Sequence, residues 1–416
     1  MTSAPGESSI DDLLAWLLAK SRPLPPAELS VAVAEALERV GARSSCMFLA
    51  DRDHMSLNPF GPGAAASGAF GVDGTIGGRA YALETTLTVP TADGARMWVP
   101  LIDGTARVGL LCIDVDTGDE SDNGMKERVE RVASLAAELI VTKHQYTDVI
   151  ELARRHQPMS LEAELQRSNL PPVALITPQV AVAGILLPAY EVAGDSFDYA
   201  LNAGTLDVAV IDSVGHELES SLISHLVQGS LRNSRRNGLD LPEAYAAADA
   251  AVARIFPDLR FATAAFGRLD LSSGRFRWIS AGHPPVILAR DGKVLGEVPT
   301  VPVLPIGLGG EDAVVNEVVL GAGDILLLYT DGVTEGGARG AERFGLDRLA
   351  ELLGRGLLAG LPPAEMLRRL VSAVLQHSSH QLRDDATLLL VEHRGPRSDP
   401  PAITTAADAR AAGGEG

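Results

Sequence analysis

The sequence predicts an α+β protein with two domains. Its C-terminal part has the order α-β-β-α, a two-sheet β-sandwich flanked by helices, and a long helix connects it to a smaller N-terminal α+β domain. The 416 residues exceed what one ordinary core accommodates, so two domains are expected. After Pro172, strand-like runs outnumber helices and the helices come in pairs, which favours packed sheets with outer helices. We therefore divide the chain into 1–21 (N-terminal helix), 22–120 (α+β domain), 121–171 (connecting helix and linker), 172–394 (sandwich) and 395–416 (disordered tail).

The N-terminal part combines two helices with an antiparallel sheet. Residues 10–20 form an amphipathic pattern, and Pro25–Pro26 open a second helix that Gly41 ends. Strand-like runs follow, and the last two are joined by the Asp-Gly turn signal at Asp103-Gly104. The predicted strands are Ser44–Leu49, Met97–Leu101 and Arg107–Asp114. This alternation is typical of a small α+β domain.

The connecting segment has the apolar periodicity of one long helix from Asp122 to about His156. Its stripe recurs at spacings of three, four or seven residues: Met125, Val129, Val132, Leu135, Leu139, Tyr146, Val149 and Leu152. The stripe either packs on its own domain or forms a homodimer seam within 122–170. Pro158 interrupts the helix, and Ser160 is expected to cap a further turn. We expect this segment to couple the two halves.

The C-terminal part alternates strands with helix pairs. The predicted strands are 177–187, 198–202, 206–211, 261–269, 276–280, 286–289, 294–298, 325–329 and 386–391, and the helices are 216–237, 242–255, 346–354 and 363–376.

Composition and charge exclude several classes of function. Hydrophobic residues make up 46% and charged residues 21%, as in globular proteins. The net charge of −19 argues against partners that are nucleic acids or anionic membranes. The N-terminus lacks a basic flank and a long apolar run, so a cytoplasmic protein without a signal peptide is expected. Cys46 and Cys112 lie in strand-like runs and are interpreted as reduced core thiols.

Four aspartates in the C-terminal half stand in Gly-rich or apolar settings, most of them beside apolar strands. They are Asp195, Asp212, Asp331 and Asp384. Buried carboxylates without partners are costly, so their convergence indicates that cations hold them together. Oxygen ligands favour two divalent cations, manganese or magnesium, and no cluster of Cys and His competes for zinc. A two-metal hydrolase is the leading hypothesis.

Short motifs in a fixed order carry a family resemblance. They are Gly194-Asp195-Ser196-Phe197-Asp198, Asp212 with Gly215-His216, Ala281-Gly282-His283-Pro284-Pro285, Tyr329-Thr330-Asp331-Gly332 and Asp384-Asp385-Ala386-Thr387. Together they resemble the PPM-type metal-dependent Ser/Thr phosphatases, in the bacterial branch named after sporulation stage II protein E. The N-terminal half is similar to a GAF sensor domain in its strands around Trp98 and Cys112.

The resemblance implies a protein serine/threonine phosphatase in which two cations activate a water for attack on phosphorus. It implies that Asp212 is shared between the cations, with the backbone carbonyl of Ser213 as a neighbouring ligand. Asp195 would hold one cation, and Asp331 with Asp384 the other. Asp212 and Asp331 are thus the main catalytic candidates.

Further candidates are less constrained by the sequence. Asp385 either supports the site or replaces its neighbour Asp384 as a ligand. His216 is a candidate proton donor to the leaving oxygen. Asp198, His283 and Asp324 are interpreted as structural residues. The chain departs from the family pattern at Ala193 and Glu217.

The resemblance also implies partners. The substrate would be a phosphorylated anti-sigma-factor antagonist, and the GAF-like half would regulate turnover and could bind a small-molecule ligand. Two alternatives remain open: a weak or inactive regulatory protein that only binds a partner through this fold, and a hydrolase of small phosphoesters or nucleotides.

Overall fold

The computed structural model describes residues 9–62, 67–104, 106–116, 123–188, 190, 194–215, 217–310, 313–336, 342–379, 382 and 384–396. His216, Ala193 and nearly all of the expected tail lie outside the described residues.

The N-terminal half is built on one antiparallel sheet in the order β3-β2-β1-β6-β5-β4. Its strands are β1 (Ala42–Ala50), β2 (Ser56–Phe60), β3 (Phe70–Gly71), β4 (Leu87–Thr91), β5 (Gly94–Asp103) and β6 (Ala106–Val115). Its helices are α1 (Ile10–Ser21), α2 (Leu29–Arg39), α3 (Ile76–Leu83) and α4 (Asn123–His144), with a 3-10 turn at Pro26–Glu28. Helices α1, α2 and α4 bury one face of the sheet, whereas α3 packs against the other. The N-terminal helix, predicted as a separate part, therefore belongs to this core.

The predicted continuous helix from Asp122 to His156 is wrong. Helix α4 ends at His144, and α5 (Asp148–Ala153) begins after Thr147, whose side chain accepts a hydrogen bond from the Val149 amide. The Thr147 hydroxyl satisfies a backbone amide at the N-terminus of α5. This favours the start of a new helix over a continuation of α4. Helix α6 (Leu161–Asn169) follows, capped by Ser160 as predicted.

The apolar stripe of α4 packs inside its own domain. Met125, Val129, Val132 and Leu139 are buried in the N-terminal core, so these side chains are not available to a second chain. Only the part beyond the break, at Tyr146, Val149 and Leu152, is exposed.

The C-terminal half contains two further sheets. The five-stranded sheet has the order β15-β12-β11-β10-β9 and the six-stranded sheet β14-β13-β16-β17-β8-β7. The strands are β7 (Ala174–Ile176), β8 (Val180–Leu187), β9 (Asp195–Asn202), β10 (Thr205–Ser213), β11 (Ala262–Asp270), β12 (Arg275–Ala281), β13 (Ile287–Arg290), β14 (Lys293–Glu297), β15 (Asn316–Val319), β16 (Asp324–Tyr329) and β17 (Ala386–His393). The helices are α7 (Glu217–Arg236), α8 (Leu241–Ile255), α9 (Asp331–Glu335), α10 (Leu346–Leu358) and α11 (Pro363–His377).

Three apolar clusters show how these sheets and helices pack together. Phe197 and Val210 of one sheet share a core with Leu326 and Leu389 of the other. The outer face of the five-stranded sheet packs against α7 and α8, and that of the six-stranded sheet against α10 and α11. None of the helices in the described ranges is long and apolar enough to cross a membrane.

Candidate functional site

Two of the predicted aspartates are cross-strand partners. Asp195 opens β9 and lies opposite Asp212, near the end of β10, while Thr263 of β11 flanks Asp212 on the other side. Directly opposed residues of antiparallel strands have Cβ atoms about 4.5–5.5 Å apart, and like charges there are destabilising. The pair therefore needs a compensating positive charge or a shared proton.

The other aspartates lie where the six-stranded sheet meets this pair. Asp331 begins α9 just after β16, and Asp384 and Asp385 precede β17, which pairs with β16. At Gly332 a Cβ atom would come within 1.8 Å of the Asp385 carbonyl oxygen. The two loops can therefore approach this closely only with glycine at that position.

Asp195 is held by hydrogen bonds to its side chain and its backbone. Its Oδ2 accepts from the Thr330 hydroxyl at 2.7 Å and from the Thr387 hydroxyl at 2.8 Å. The Thr387 amide in turn donates to Thr330 Oγ1 at 2.8 Å, and Gln166 Nε2 donates to the Asp195 carbonyl at 2.5 Å. Because all four residues are buried, the carboxylate has one fixed orientation.

The structure separates the adjacent residues Asp384 and Asp385. Asp385 is buried, and its Oδ2 accepts from the amides of Gly194 at 2.7 Å and Asp195 at 3.3 Å. Asp384 is exposed, and its Oδ1 accepts from the Asp385 amide at 2.9 Å. Asp385 thus ties the loop before β9 to the loop before β17, whereas Asp384 is open to the surface.

The carboxylates raise one another's pKa values. Burial, followed by the charges of Asp331 and Asp384, raises the pKa of Asp212 to about 7. Burial and then the charge of Asp212 raise the pKa of Asp195 well above its usual value. Asp331 is exposed at the surface, but partial burial of its carboxyl group and then the charge of Asp384 raise its pKa. Such a group of mutually repelling carboxylates is stabilised when cations neutralise it.

The donor set fits hard divalent cations. Its side-chain donors are carboxylate oxygens, which suit magnesium and manganese. Within the described ranges, Asp212, Asp331 and Asp384 form no ion pair with Lys or Arg that would occupy them. Ser213 Oγ donates to the carbonyls of Gly194 at 2.9 Å and Ser220 at 2.7 Å, which fixes the end of β10. The Ser213 carbonyl and His216 keep their roles as predictions.

Three candidate metal ligands come together in a different cluster, which does not include the strand-end aspartates. Among the described residues, only Asp51, Asp53 and His156 bring ligand atoms within 4.8 Å of one another, and no three of the strand-end aspartates do. Asp51 Oδ1 already accepts from two amides and its Oδ2 from Ser56 Oγ. The His156 ring is hydrogen-bonded to Tyr190. We therefore assign no ion there.

Three polar residues have the structural roles that were expected of them. Asp198 is paired with Arg232 at 2.7 Å and with Arg235 at 3.3 Å. His283 is buried with Nδ1 2.9 Å from Thr263 Oγ1, and burial lowers its pKa to about 3, so the ring is neutral. Asp324 accepts from the Gly321 amide and from Arg290.

The sequence interpretation assigned no role to Thr330, Thr387 or Arg343, and it expected Gln166 only to belong to the coupling segment. Arg343 lies near the site, where its charge lowers the pKa of Asp331 against the larger effects of burial and Asp384. It pairs with Glu335 at 2.7 Å, and both line a cavity of about 120 Å³ with Asp331 and Asp384. The available signal was position: Thr330 and Thr387 stand next to or near the aspartates in their motifs.

Comparison with known proteins finds a family match in the C-terminal half of the chain. Residues 202–394 match the family model described as stage II sporulation protein E (SpoIIE). Protein IcfG of Synechocystis sp. is 32% identical over 136 residues, 32% of this chain and 20% of that protein. Phosphoserine phosphatase RsbU of Bacillus subtilis is 21% identical over 216 residues, 51% of this chain and 63% of that protein. The chain thus spans less than two thirds of either relative.

Among solved structures, the chain is similar to the RsbU and RsbW domains of Rv1364c from Mycobacterium tuberculosis. It has 30% identity and a TM-score of 0.48, and the match covers 57% of this chain and 69% of that one. Residues 202–394 are therefore similar to the SpoIIE family, and the relative RsbU is named a phosphoserine phosphatase.

Proposed function

We propose that residues 172–394 act as a protein serine/threonine phosphatase that depends on two divalent cations, manganese or magnesium. The position of Asp212 supports this proposal best. Its carboxylate is opposed by Asp195 on the neighbouring strand, and the charges of Asp331 and Asp384 raise its pKa. A carboxylate that interacts with several others in this way is suited to be shared by two cations.

The described residues suggest a division of roles. Asp212 would bridge, Asp195 would lie toward one cation, and Asp331 with Asp384 toward the other. When bound, the cations would lower the pKa of a bridging water and neutralise the phosphoryl oxygens, so the protein need not supply a nucleophile. Asp385 keeps the two loops together through the Gly194 amide.

The shape of the site favours a phosphorylated protein as substrate. Asp331 and Asp384 are exposed, and the cavity beside them is small, at about 120 Å³. Pockets that enclose small ligands are typically about 300–1,000 Å³. A phosphoserine or phosphothreonine on the surface of a folded partner reaches such a site. We propose an anti-sigma-factor antagonist as that partner, and a GAF-like regulatory role for the N-terminal half.

The experiment is turnover of a phosphoserine protein by the full chain with and without manganese. Asp331→Asn and Asp384→Asn should each reduce turnover by more than the roughly 10–100-fold typical of residues that only support a ligand. The matched control is Asp347→Asn, an exposed aspartate in the first turn of α10, which should retain activity. Calorimetry of manganese binding to the same variants measures loss of the cation, and their thermal unfolding shows whether they still fold.

Two outcomes would contradict the proposal. Turnover that is unchanged without cations and in both variants would remove the carboxylates from the mechanism. Binding of the phosphoprotein with no turnover and no cation uptake would favour the non-catalytic alternative. A nucleotide tested in parallel distinguishes a small-phosphoester hydrolase, which would turn it over faster than the phosphoprotein.

A further inference from the structure

The only two cysteines of the chain lie directly opposite each other in the N-terminal sheet. Cys46 of β1 and Cys112 of β6 are register partners in an antiparallel pair. Both pack against the apolar cluster that contains Phe48 and Leu110, so their side chains lie on the same face of the sheet. The sequence predicted separate core thiols, and the pairing appears only when the strands are aligned.

The pairing satisfies the distance requirement of a disulfide. Opposed residues of antiparallel strands have Cα atoms roughly 4.5–5.5 Å apart, and disulfides join Cα atoms roughly 4.4–6.8 Å apart. The next pair along the strands, Met47 and Leu111, points to the opposite face and into the other core. A shift of one residue would therefore separate the thiols.

The exposure of the two thiols distinguishes them from ordinary core cysteines. A free cysteine that only fills space is usually among the most buried residues. Cys46 and Cys112 are both partly exposed, and Cys46 Sγ lies 3.3 Å from the hydroxyl of Ser67 at the surface. A small oxidant can therefore reach the pair.

We propose that Cys46 and Cys112 form an oxidative modification site that closes a cross-strand disulfide in response to hydrogen peroxide. The bridge would join β1 and β6, the two central strands of the sheet. This inference is independent of the proposed phosphatase activity.

The two thiols have different roles in the reaction. Cys46 Sγ contacts the exposed Ser67, whereas burial raises the pKa of the Cys112 thiol to about 12, so we expect Cys46 to be oxidised first. The Cys46 thiolate attacks one peroxide oxygen. An S–O bond forms, the O–O bond breaks, and hydroxide leaves and is protonated to water.

The Cys112 sulfur then attacks the Cys46 sulfenic acid. The S–S bond forms, the S–O bond breaks, and the leaving hydroxide takes the Cys112 proton as a second water. The two thiols lose two electrons, and the peroxide gains them.

The test is peptide mapping of the full chain after treatment with hydrogen peroxide, without reduction. We expect both thiols to disappear with the same time course in the monomer, and one linked peptide pair that contains Cys46 and Cys112. Retention of both thiols, or disulfides between chains only, would overturn the proposal. This measurement needs no variant, so it does not depend on how well a substitution folds.

Variants then test the assigned order. Cys112→Ser should stop at a sulfenic acid on Cys46 that dimedone traps, and Cys46→Ser should leave the Cys112 thiol intact at the same dose. The matched control combines Cys46→Ser with Ser45→Cys, which moves the thiol to the opposite face of β1. An equally fast intramolecular disulfide in that control would show that strand pairing does not determine the reaction.

Discussion

Arg107 of β6 donates a hydrogen bond to Glu365 of α11 at 3.4 Å and so links the N-terminal sheet to the C-terminal half. Glu365 is fully buried and also accepts from Arg368 at 2.8 Å and from Arg369 at 2.8 Å. Arg368 extends the link through two hydrogen bonds to Asp73. Burial opposes ionisation of Glu365, but the hydrogen bond from Arg368 holds its pKa below the usual value. The two halves are therefore joined by a buried ionic network.

Glu365→Gln should strongly destabilise the protein. The substitution leaves Arg107 and Arg368 buried without their shared anion, and breaking a buried pair in this way costs about 3–5 kcal/mol. The free energy of unfolding in urea measures the loss. Arg369→Gln is the matched control, because Arg369 bonds the same carboxylate from the surface, with 55% of its side chain exposed. Its cost should stay within about 0–1 kcal/mol. Equal losses in both variants would contradict a special role for the buried network.

Removing the hydroxyl that orients Asp195 should weaken cation binding. Thr330→Val or Thr387→Val keeps the side-chain shape but removes one of the two donors to Asp195 Oδ2. Loss of a residue that orients a metal ligand typically costs about 10–100-fold in affinity. Calorimetry with manganese measures the change. The corresponding Thr→Ser variants keep the hydroxyl and should bind like the parent chain. If Ser and Val variants bind manganese equally, the hydroxyls do not position the carboxylate.

The free energy of unfolding of the cation-free protein should fall as the pH rises from about 4 to about 7. Asp212→Asn should remove the part of this fall that comes from the Asp212 carboxyl group. The pKa of Asp212 is raised from 3.8 to about 7 by burial and then by Asp331. In this window the unfolded chain has released its proton while the folded protein retains it, so deprotonation favours unfolding. The slope is on the order of 1 kcal/mol per pH unit. Thermal unfolding of the parent and of Asp212→Asn across this range measures the difference, and manganese should reduce it. Parallel pH profiles would show that Asp212 titrates as an ordinary carboxyl group.

The strand-end aspartates could be predicted because an apolar run followed by Asp is a local pattern. The same pattern placed Asp212 at the end of β10 and Asp331 after β16. It could not distinguish Asp384 from Asp385, since the difference depends on the Gly194 amide, about 190 residues away in sequence. The hydrogen bonds from Thr330 and Thr387 to Asp195 could not be predicted for the same reason, because these residues are far apart in sequence.

Two elements show where local patterns fail. The apolar stripe continued past His144, but α4 ends there and a new helix begins after the cap at Thr147, which periodicity alone does not reveal. Strand β15 was not predicted at all. It has four residues and forms by pairing with β12 about 40 residues earlier, with Arg275 opposite Val319. Such a short edge strand is determined by its partner more than by its own sequence.

Arg343→Ala should weaken recognition of the phosphorylated substrate more than it affects folding. Arg343 lines the cavity beside Asp331 and Asp384, its side chain is 71% exposed, and its charge is shared only with Glu335 among the described ion pairs. A hydrogen bond to a charged group contributes about 1.5–3 kcal/mol. The value of kcat/KM should therefore fall roughly tenfold to a hundredfold, mainly through KM.

Steady-state kinetics with a phosphoserine protein check this expectation for Arg343. Arg355→Ala is the matched control, because Arg355 is 68% exposed and paired with Glu351 on α10 in a similar surface ion pair. That variant should leave KM unchanged. Equal effects of the two substitutions would mean that Arg343 acts only through general surface charge, and an unchanged KM in Arg343→Ala would remove it from the substrate site. Because the net charge of the chain is −19, a single exposed guanidinium beside the carboxylates should matter for attracting a phosphate.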